Sequence, residues 1–468
     1  ELTLTELDFK TRQEVPREPF AEGGKNTASA PPGSGEPAEK TNDALKPTLP
    51  EVLPQDLPSA SPTSSLENSS EFRQPMLGGT LVVSDERPSD VDPKLWVETL
   101  TEALLRTAAR SDLQEIEIRG RQVLHGPLHF QRHHLRIRGG SRTATLQLSE
   151  QALLAHDQGE GIFDLQDSQL TLAGLSLEVT LPLDVPLAME GLFYVAGNSQ
   201  LELDNCLVTI NDRSQANGFF VVRCGGPSEP SNPPSAVPLS GLNDASPTLS
   251  DAMLIRLDTS VVRGETNFLS WEVTAETLNE RLDISLNDTL LAISGSVLKL
   301  KSPTGDSQAQ RFARLLCSQS TFVSEQPFAQ LEYEGNAAPL LGLMRTSQSC
   351  IYWSRPQVPH VRISGARRQS LLGNFNLLLL QGVNNLYDAN IEDVCQGFLG
   401  AERMVTFGFA EAYSSGWLGE RGNEARVRWQ SPPVPQLPLH DARPADFAVS
   451  DVLFVPGITP GNLPRPTF

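Results

Sequence analysis

Closely spaced histidines are the first feature of this chain that could do chemistry. His125, His129, His133 and His134 lie within one short segment. Metal sites need ligands that converge on one point, which an H-x-x-x-H spacing achieves on a helix. This segment instead predicts strands and turns, where a spacing of four residues covers about 13 Å. We therefore interpret these residues as exposed histidines near the edge of a coil, although a bend in the chain would still bring them together.

Carboxylates in the polar turns are the second group of residues that could form a functional site. A calcium-dependent lyase needs several carboxylates around one ion and a basic residue that accepts a proton. Aligning the turns by their spacing places polar side chains in one column, and stacked turns need such a column to satisfy backbone groups. We therefore predict a structural ladder, with a calcium or sugar site as the alternative. The turn acids are Asp164, Asp167, Asp204, Asp258 and Asp288, and the predicted column is Asp167, Asn198, Thr259, Asp288, Gln319 and Gln348.

These turns belong to a repeat that runs from Ile162 to Tyr352. In each copy, alternating apolar residues precede a short polar turn, and a second alternating pair follows. The turn hydroxyls recur about every 30 residues, with one interval of about twice that length. A local period of two predicts strands, and strands at a fixed stacking interval predict an all-β solenoid, a parallel β-helix. The turn anchors are Ser168, Ser199, Ser260, Thr289, Ser320 and Ser349.

The segments outside the repeat predict the domain organisation. Residues 1–76 are rich in Pro, Ser and Glu, which predicts a disordered linker. The β-helix is expected over 77–385. An amphipathic stripe near 94–110, with Asp92 as its N-cap, predicts a helix that caps the first coil. Residues 386–468 change pattern and become proline-rich, which predicts an irregular C-terminal cap and tail.

The double-length interval contains a proline-rich stretch near 225–250. We interpret this stretch as a mobile loop inserted in one coil, since long insertions leave solenoids at turns. If the regular turns form a structural ladder, a binding site is expected in segments that depart from the repeat. The 225–250 insertion is the first such segment.

Composition excludes some functions. A net charge of −20 and a pI near 4.8 oppose nucleic-acid binding, which needs clustered Lys and Arg. No apolar run is long enough to predict a membrane span. The chain starts at Glu1 without a signal-peptide pattern, so we expect a fragment or processed product whose targeting or tethering segment lies upstream.

The cysteines do not predict a zinc site or a disulfide framework. There are five of them, and none belongs to a C-x-x-C pair. A free thiol on or beside a strand behaves as a small apolar residue, which is our interpretation here. One bridge, for instance from Cys206 to Cys224, is the alternative.

A cap helix followed by these coils, over roughly 79–385, resembles the pectin-lyase-like superfamily, which implies a right-handed parallel β-helix. The acidic Pro-rich leader, the helix at 99–104 and the strand at 135–139 look like ectodomains attached to bacterial serine/threonine kinases, as found in planctomycetes. Many proteins of the broader fold cleave acidic polysaccharides. A galacturonan hydrolase of this fold would carry Asn-Thr-Asp, Asp-Asp, Gly-His-Gly and Arg-Ile-Lys motifs, and none of these occurs. Asn287-Asp288-Thr289 is a scrambled form of the first motif.

The function predicted from the sequence is therefore a monomeric, extracytoplasmic binding or scaffold module without catalytic, cofactor-binding or metal-ligating residues. Its expected ligand is a polysaccharide or another cell-envelope component. The alternative is a carbohydrate-active lyase or hydrolase with a divergent site. A third reading is a purely structural spacer, which would show no saturable glycan binding.

Overall fold

Parallel strands stacked coil upon coil build this protein. In the computed structural model, the chain forms a parallel β-helix of about eight turns with about 31 residues per turn, which confirms the predicted fold class. The predicted linker, 1–76, lies outside the described residues. The structure describes residues 79–464 except for 111, 142–143, 155–160, 184–190, 213–217, 226–238, 241–251, 275–276, 278, 306–310, 335–337, 366–376, 400–402, 421–426, 430–437 and 450–455.

Short strands dominate the described residues. They are, in chain order, β1 Gly79–Val83, β2 Trp96–Val97, β3 Leu113–Ile118, β4 Arg121–Leu124, β5 Leu128–Gln131, β6 His134–Gly139, β7 Thr145–Leu148, β8 Gly161–Gln166, β9 Gln169–Ala173, β10 Ser176–Leu181, β11 Gly191–Ala196, β12 Gln200–Asp204, β13 Leu207–Asp212, β14 Phe220–Gly225, β15 Leu239–Ser240, β16 Met253–Asp258, β17 Val261–Gly264, β18 Asn267–Glu272, β19 Leu282–Asn287, β20 Leu290–Ile293, β21 Leu298–Gly305, β22 Arg311–Ser318, β23 Thr321–Ser324, β24 Ala329–Glu334, β25 Ala338–Pro339, β26 Leu341–Gln348, β27 Ile351–Ser354, β28 Val361–Ser364, β29 Leu378–Val383, β30 Leu386–Tyr387, β31 Cys395–Leu399 and β32 Arg403–Phe407. The α-helices are α1 Leu100–Ala109, α2 Glu150–Leu153 and α3 Phe409–Ser414, and the 3-10 helices are Pro93–Leu95, Leu439–Asp441 and Pro444–Phe447.

The strands form three long sheets, and each regular coil contributes one strand to each sheet. Because successive side chains of a strand point to opposite faces, one face of every sheet fills a continuous apolar core. Sheet 1 has the order β2-β1-β3-β6-β9-β12-β16-β19-β22-β26-β29. Sheet 2 has the order β4-β7-β10-β13-β17-β20-β23-β27-β30, and sheet 3 has the order β15-β5-β8-β11-β14-β18-β21-β24-β28-β31-β32.

The cap helix is shorter than the stripe near 94–110 predicted. Asp92 accepts a hydrogen bond from the Lys94 backbone N–H, and this caps the 3-10 helix rather than α1. Helix α1 begins at Leu100, and its N-cap is Thr99, whose hydroxyl accepts from Glu102. Between the two helices, the chain pairs with β1 as β2, so the first part of the stripe is strand.

The six copies of the repeat lie at two different corners of the coil. The first two connect sheet 3 to sheet 1, at Ser168 and Ser199, whereas the later four connect sheet 1 to sheet 2. The predicted single column of turn residues is therefore wrong. Both corners use a residue with positive φ before a buried anchor, which made them look alike in sequence. In the last copy that residue is Ser349, and the buried anchor is Cys350.

Anchor hydroxyls tie neighbouring coils together at both corners. The backbone N–H of Ser168 donates to the Ser199 hydroxyl at 3.1 Å, and the N–H of Thr289 donates to the Ser320 hydroxyl at 3.2 Å. The carboxylate of Asp167 accepts from the backbone N–H of Asn198 at 3.1 Å. The turns are thus structural ladders, but there are two of them.

The corner of the coil that contains the long connections differs between two parts of the solenoid. In the coils up to β14, sheet 2 leads to sheet 3 through long connections such as 149–160 and 182–190, while sheet 3 leads to sheet 1 through tight turns. From β14 onward the pattern reverses, with long connections such as 273–281 and 365–377 between sheets 3 and 1. We call these two parts the first half and the second half. In both halves, the long connections border sheet 3.

A C-terminal segment covers the outer face of sheet 2. We call residues 427–429, 438–449 and 456–464 the strap. Apolar strap residues such as Phe447 and Ile458 pack against Val261 and Leu290, which point away from the main core. Most of the outer face of sheet 2 in the second half is therefore buried. Strands of the last coil, β30 and β31, also follow residue 385.

Candidate functional site

A row of polar side chains crosses the outer face of sheet 3. Its members lie in register on nine neighbouring strands, β5 to β31, so the row spans roughly 38 Å. Their neighbours along each strand point into the apolar core, so the row faces outward. We call this set the outer row: His129, Asp164, Tyr194, Arg223, Ser270, Lys299, Gln330, Arg362 and Gln396.

The first half of the outer row contains an acid–base pair. The Nδ1 atom of His129 lies 2.9 Å from Oδ2 of Asp164. A carboxylate at Nδ1 orients the imidazole and leaves Nε2 to act on another group. However, His129 Nε2 and Asp164 Oδ1 are both buried and have no hydrogen-bond partner within the described residues. Tyr194 and Arg223 follow on the next two strands, and Tyr194 is almost fully buried.

The second half of the outer row contains cations. Within the described part of the chain, neither Lys299 nor Arg362 forms an ion pair, and Arg362 Nε is buried without a partner. The ammonium of Lys299 lies 5.3 Å from the ring centroid of Phe220, at cation–π distance. Burial lowers the pKa of Lys299, and the nearby Glu332 carboxylate opposes this shift. Gln330 lies between the two cations and offers amide hydrogen bonds.

In the neighbouring row on sheet 3, the lysine is paired with carboxylates. Lys301 binds Glu272 and Glu334, each at 2.9 Å, which raises the Lys301 pKa. Lys301 is therefore compensated by carboxylates, whereas Lys299 and Arg362 of the outer row form no ion pair with any described residue, in a chain with a net charge of −20.

The outer face of sheet 1 carries charges that compensate one another. In the first half, Arg138 pairs with Glu115 at 2.7 Å and with Glu117, and Arg119 pairs with Glu117 and Asp90. In the second half, coils are joined by side-chain amides and hydroxyls, as where Asn287 donates to an Asp258 carboxylate oxygen at 2.7 Å. This face therefore offers a hydrogen-bonded surface on which many charges are paired, although Arg314 is an exposed cation there.

The four histidines singled out in the sequence do not converge. His129 is on sheet 3, His133 lies in the next turn, and His134 starts β6 of sheet 1, where its Nδ1 atom is 3.1 Å from Gln169. Burial, with the nearby His134, lowers the pKa of His133. His125 is exposed. Within the described residues, no group of three or more His, Cys, Asp or Glu side chains is arranged to hold a metal ion.

The turn acids also have separate surroundings. Asp164 belongs to the outer row, and Asp258 to the sheet 1 face. Asp288, at the same corner as Thr259, binds the strap: its carboxylate accepts from the Thr459 backbone N–H at 2.7 Å. All five cysteines are buried free thiols, so the alternative of a Cys206–Cys224 bridge is not realised.

A buried charged cluster lies near the C-terminal end of the second half. Arg345 is fully buried in β26 and donates to Glu420 at 2.6 Å, to the Tyr387 hydroxyl and to His360 Nε2 at 2.7 Å. Its guanidinium carbon lies 4.6 Å from the ring centroid of Tyr352. Burial and the Arg345 charge hold the pKa of His360 well below its ordinary value, which keeps the ring neutral and able to accept. Because this cluster has no exposed surface to offer a ligand, we interpret it as the attachment point of the C-terminal cap.

Sequence reasoning did not find the His129–Asp164 pair, the outer row or the Arg345–Glu420 pair. The first two depend on register between coils. Arg345 did leave a signal, since it shares its strand face with the apolar Leu341 and Leu343. The segment 225–250, where a binding site was expected, lies outside the described residues except for Gly225 at the end of β14 and Leu239–Ser240, which pairs with β5.

The fold and the outer row define a parallel β-helix protein with a polar face bordered by long connections. Comparisons with models of protein families, with curated proteins and with solved structures find no match to this chain. Within the described residues, no helix is long and apolar enough to cross a membrane.

Proposed function

We propose that this protein is a glycan-binding module that holds a polysaccharide or cell-envelope polymer along the outer row of sheet 3. One observation carries this proposal: the outer row is continuous over nine strands and lies on the sheet that the long connections border in both halves. In solenoids, insertions gather on the face that binds partners, because they vary without disturbing the stack. The strap leaves no comparable open face on sheet 2 in the second half.

The charge of the outer row favours an acidic polymer. Arg223, Lys299 and Arg362 lie two strands apart from one another, a spacing of roughly 10 Å. Amide and hydroxyl groups of Ser270 and Gln330 alternate with them and suit sugar hydroxyls. The net charge of −20 repels an anionic chain at long range, so the attraction of these cations acts at short range, within about a Debye length of the surface.

The test is saturable binding of the full chain to a panel of polymers, with polygalacturonate as the acidic member and dextran as a neutral one. We expect binding to the acidic polymer that weakens with added salt. The double variant Lys299→Gln/Arg362→Gln should lose about tenfold in affinity for each cation removed. Arg314→Gln is the matched control, since Arg314 is an exposed cation on the outer face of sheet 1.

Three outcomes would overturn the proposal. Absence of saturable binding to every polymer would support a structural spacer instead. Equal loss in the Arg314→Gln control would place the contact away from sheet 3. Binding that is unaffected by either variant would also exclude the outer row.

A second candidate function is a polysaccharide lyase or hydrolase, and the His129–Asp164 pair favours it. An oriented imidazole is a suitable proton acceptor, and Arg223 would neutralise a substrate carboxylate two strands away. The burial of His129 Nε2 counts against it. Product release from the same polymers, with and without calcium, is the test. Turnover that Asp164→Asn abolishes would establish the enzyme and contradict a purely binding role.

We also propose that the coil is right-handed and of the pectin-lyase-like type, and that the protein works outside the cytoplasm. The acidic leader and the kinase-ectodomain resemblance support this location. Protease protection of the chain in intact cells that express it tests the location independently of any ligand.

A further inference from the structure

The outer face of sheet 2 differs between the two halves. In β4, β7 and β10 its side chains include Arg121, Thr145 and Glu178, which are polar. From β13 onward the corresponding outward positions are mostly apolar. In one row these are Leu207, Val261, Leu290, Ile351 and Leu386, with the polar Thr321 on β23, and Val323 lies in the next row; all are nearly or fully buried.

The strap covers these outward apolar residues, which extend from β13 to β30. One group of strap residues, Ala442, Phe447, Ile458 and Leu463, packs with the outward residues of β13 to β23. A second group, Val427 and Val449, packs with those of β27 and β30, and Trp429 joins both groups. The strap thus touches six consecutive strands of sheet 2.

Polar contacts fix the strap to several coils. Near its first 3-10 helix, the Arg263 guanidinium donates to the Ala442 carbonyl at 2.5 Å, and His440 lies 2.8 Å from Glu265. Further along the strap, the Ile458 backbone N–H donates to the Thr321 hydroxyl at 3.1 Å. The contacts with Arg263 and Thr321 are on strands two coils apart.

Contacts of this range are unusual for a solenoid. Each coil normally touches only its neighbours, so stability is a sum of nearest-neighbour interfaces and strands fray from an end. A segment that binds six coils adds contacts between coils that do not touch each other. Those coils gain the strap contacts only while all of them are in place, which favours opening together.

We propose that the strap joins the coils from β13 to β30 into one cooperative unit, whereas the earlier coils, β3 to β10, open independently of it. The apolar contacts of the strap lie on β13 to β30, and the outer faces of β4, β7 and β10 contribute no residue to these apolar clusters. The strap is therefore a conformational device that keeps the cationic part of the outer row on a single rigid body.

Hydrogen exchange of the full-length protein tests this proposal. In the unmodified chain, we expect the amides of β13, β17, β20, β23 and β27 to share one level of protection. Phe447→Asp places a charge in the strap interface, and it should lower protection in all five strands by at least about 100-fold. Protection of β7 and β10 should change less than about threefold.

Two further variants separate a cooperative strap from a local contact. Ile458→Asp perturbs the other end of the strap and should affect the same five strands. Val123→Asp is the matched control, because Val123 is exposed on the outer face of sheet 2 outside the strap. Loss of protection confined to β13 and β17 in Phe447→Asp, or protection that already declines strand by strand toward β30 in the unmodified chain, would overturn the proposal.

Discussion

The first and second halves of this solenoid link neighbouring coils through hydroxyl ladders at different corners. In the first half, the hydroxyl ladder of Ser168 and Ser199 ties the corner between sheets 3 and 1. In the second half, Ser260, Thr289 and Ser320 tie the corner between sheets 1 and 2. In the first half the long connections lie between sheets 2 and 3, and in the second half they lie between sheets 3 and 1. Sheet 3 is bordered throughout, but from different sides.

The halves also differ in how charge is placed. First-half ion pairs such as Arg119–Asp90 are exposed and should stabilise little, whereas the Glu117 carboxylate that binds Arg119 and Arg138 is buried near the surface. The second half contains the buried pair Arg345–Glu420 and the strap contacts. The coils of the second half therefore have contacts with segments that follow the repeat, in addition to the contacts between neighbouring coils.

The largest effect should come from the buried pair. Glu420→Ala leaves the Arg345 charge without a counter-ion and should lower the free energy of unfolding by about 3–5 kcal/mol. The double variant Arg345→Met/Glu420→Leu should recover most of this loss, since no charge is then buried. Denaturant titration followed by circular dichroism measures both.

A surface pair of the first half is the control for this comparison. Arg121 and Glu178 are 3.5 Å apart and both half-exposed, so Arg121→Gln should cost less than about 1 kcal/mol. A similar cost for Arg121→Gln and Glu420→Ala would contradict the proposed difference between the halves.

The two hydroxyl ladders should be equivalent in strength. Ser199→Ala removes the acceptor of the Ser168 backbone N–H, and Ser320→Ala removes that of Thr289, and all of these groups are buried. A buried N–H without a partner costs about 1–3 kcal/mol, so both variants should lose stability in this range. The same denaturant titration measures them.

Ser285→Ala is the matched control, because Ser285 lies on the outer face of sheet 1 and is only partly buried; its cost should stay below about 0.5 kcal/mol. A loss in Ser320→Ala without a loss in Ser199→Ala would mean that the first-half turns do not act as a ladder.

The coil was predictable from the sequence because its signals are local. Alternation within each strand and the recurrence of Ser168, Ser199 and Ser260 at multiples of one spacing depend on nothing outside the repeat. The two corners were not distinguishable, because both place a left-handed residue before a buried hydroxyl. The double-length interval after Ser199 marks both the insertion and the change of corner.

The candidate site was not predictable in the same way. His129 and Asp164 are one coil apart in sequence, so their contact depends on the exact register of β5 on β8. The strap contains residues with no periodic pattern, such as Phe447, so the sequence does not predict it. The surface that it covers leaves one signal in the sequence, which is apolar residues at outward strand positions. Val261 and Leu290 precede inward apolar residues, so both faces of their strands are apolar. This signal indicates a covered face, but not what covers it.

The smallest effect concerns a carboxyl group in a long connection of the second half. Burial raises the pKa of Glu280 to about 7, and its Oε2 atom has no partner within the described residues. A raised pKa means that the folded state binds the proton more tightly than the unfolded state. Stability is therefore greatest below pH about 4.5 for this group and is lost as the pH rises through about 7.

Glu280→Gln should remove this dependence and raise stability at pH 8 by about 1–2 kcal/mol, a range reduced for solvent screening of a half-exposed group. Thermal unfolding between pH 5 and pH 8 measures the change. Glu86→Gln is the control, because Glu86 is exposed before the first coil and its substitution should leave the pH profile unchanged. A pH profile that Glu280→Gln leaves unchanged would show that the carboxyl is solvated in the folded protein. The long connections of the second half would then be no more buried than those of the first.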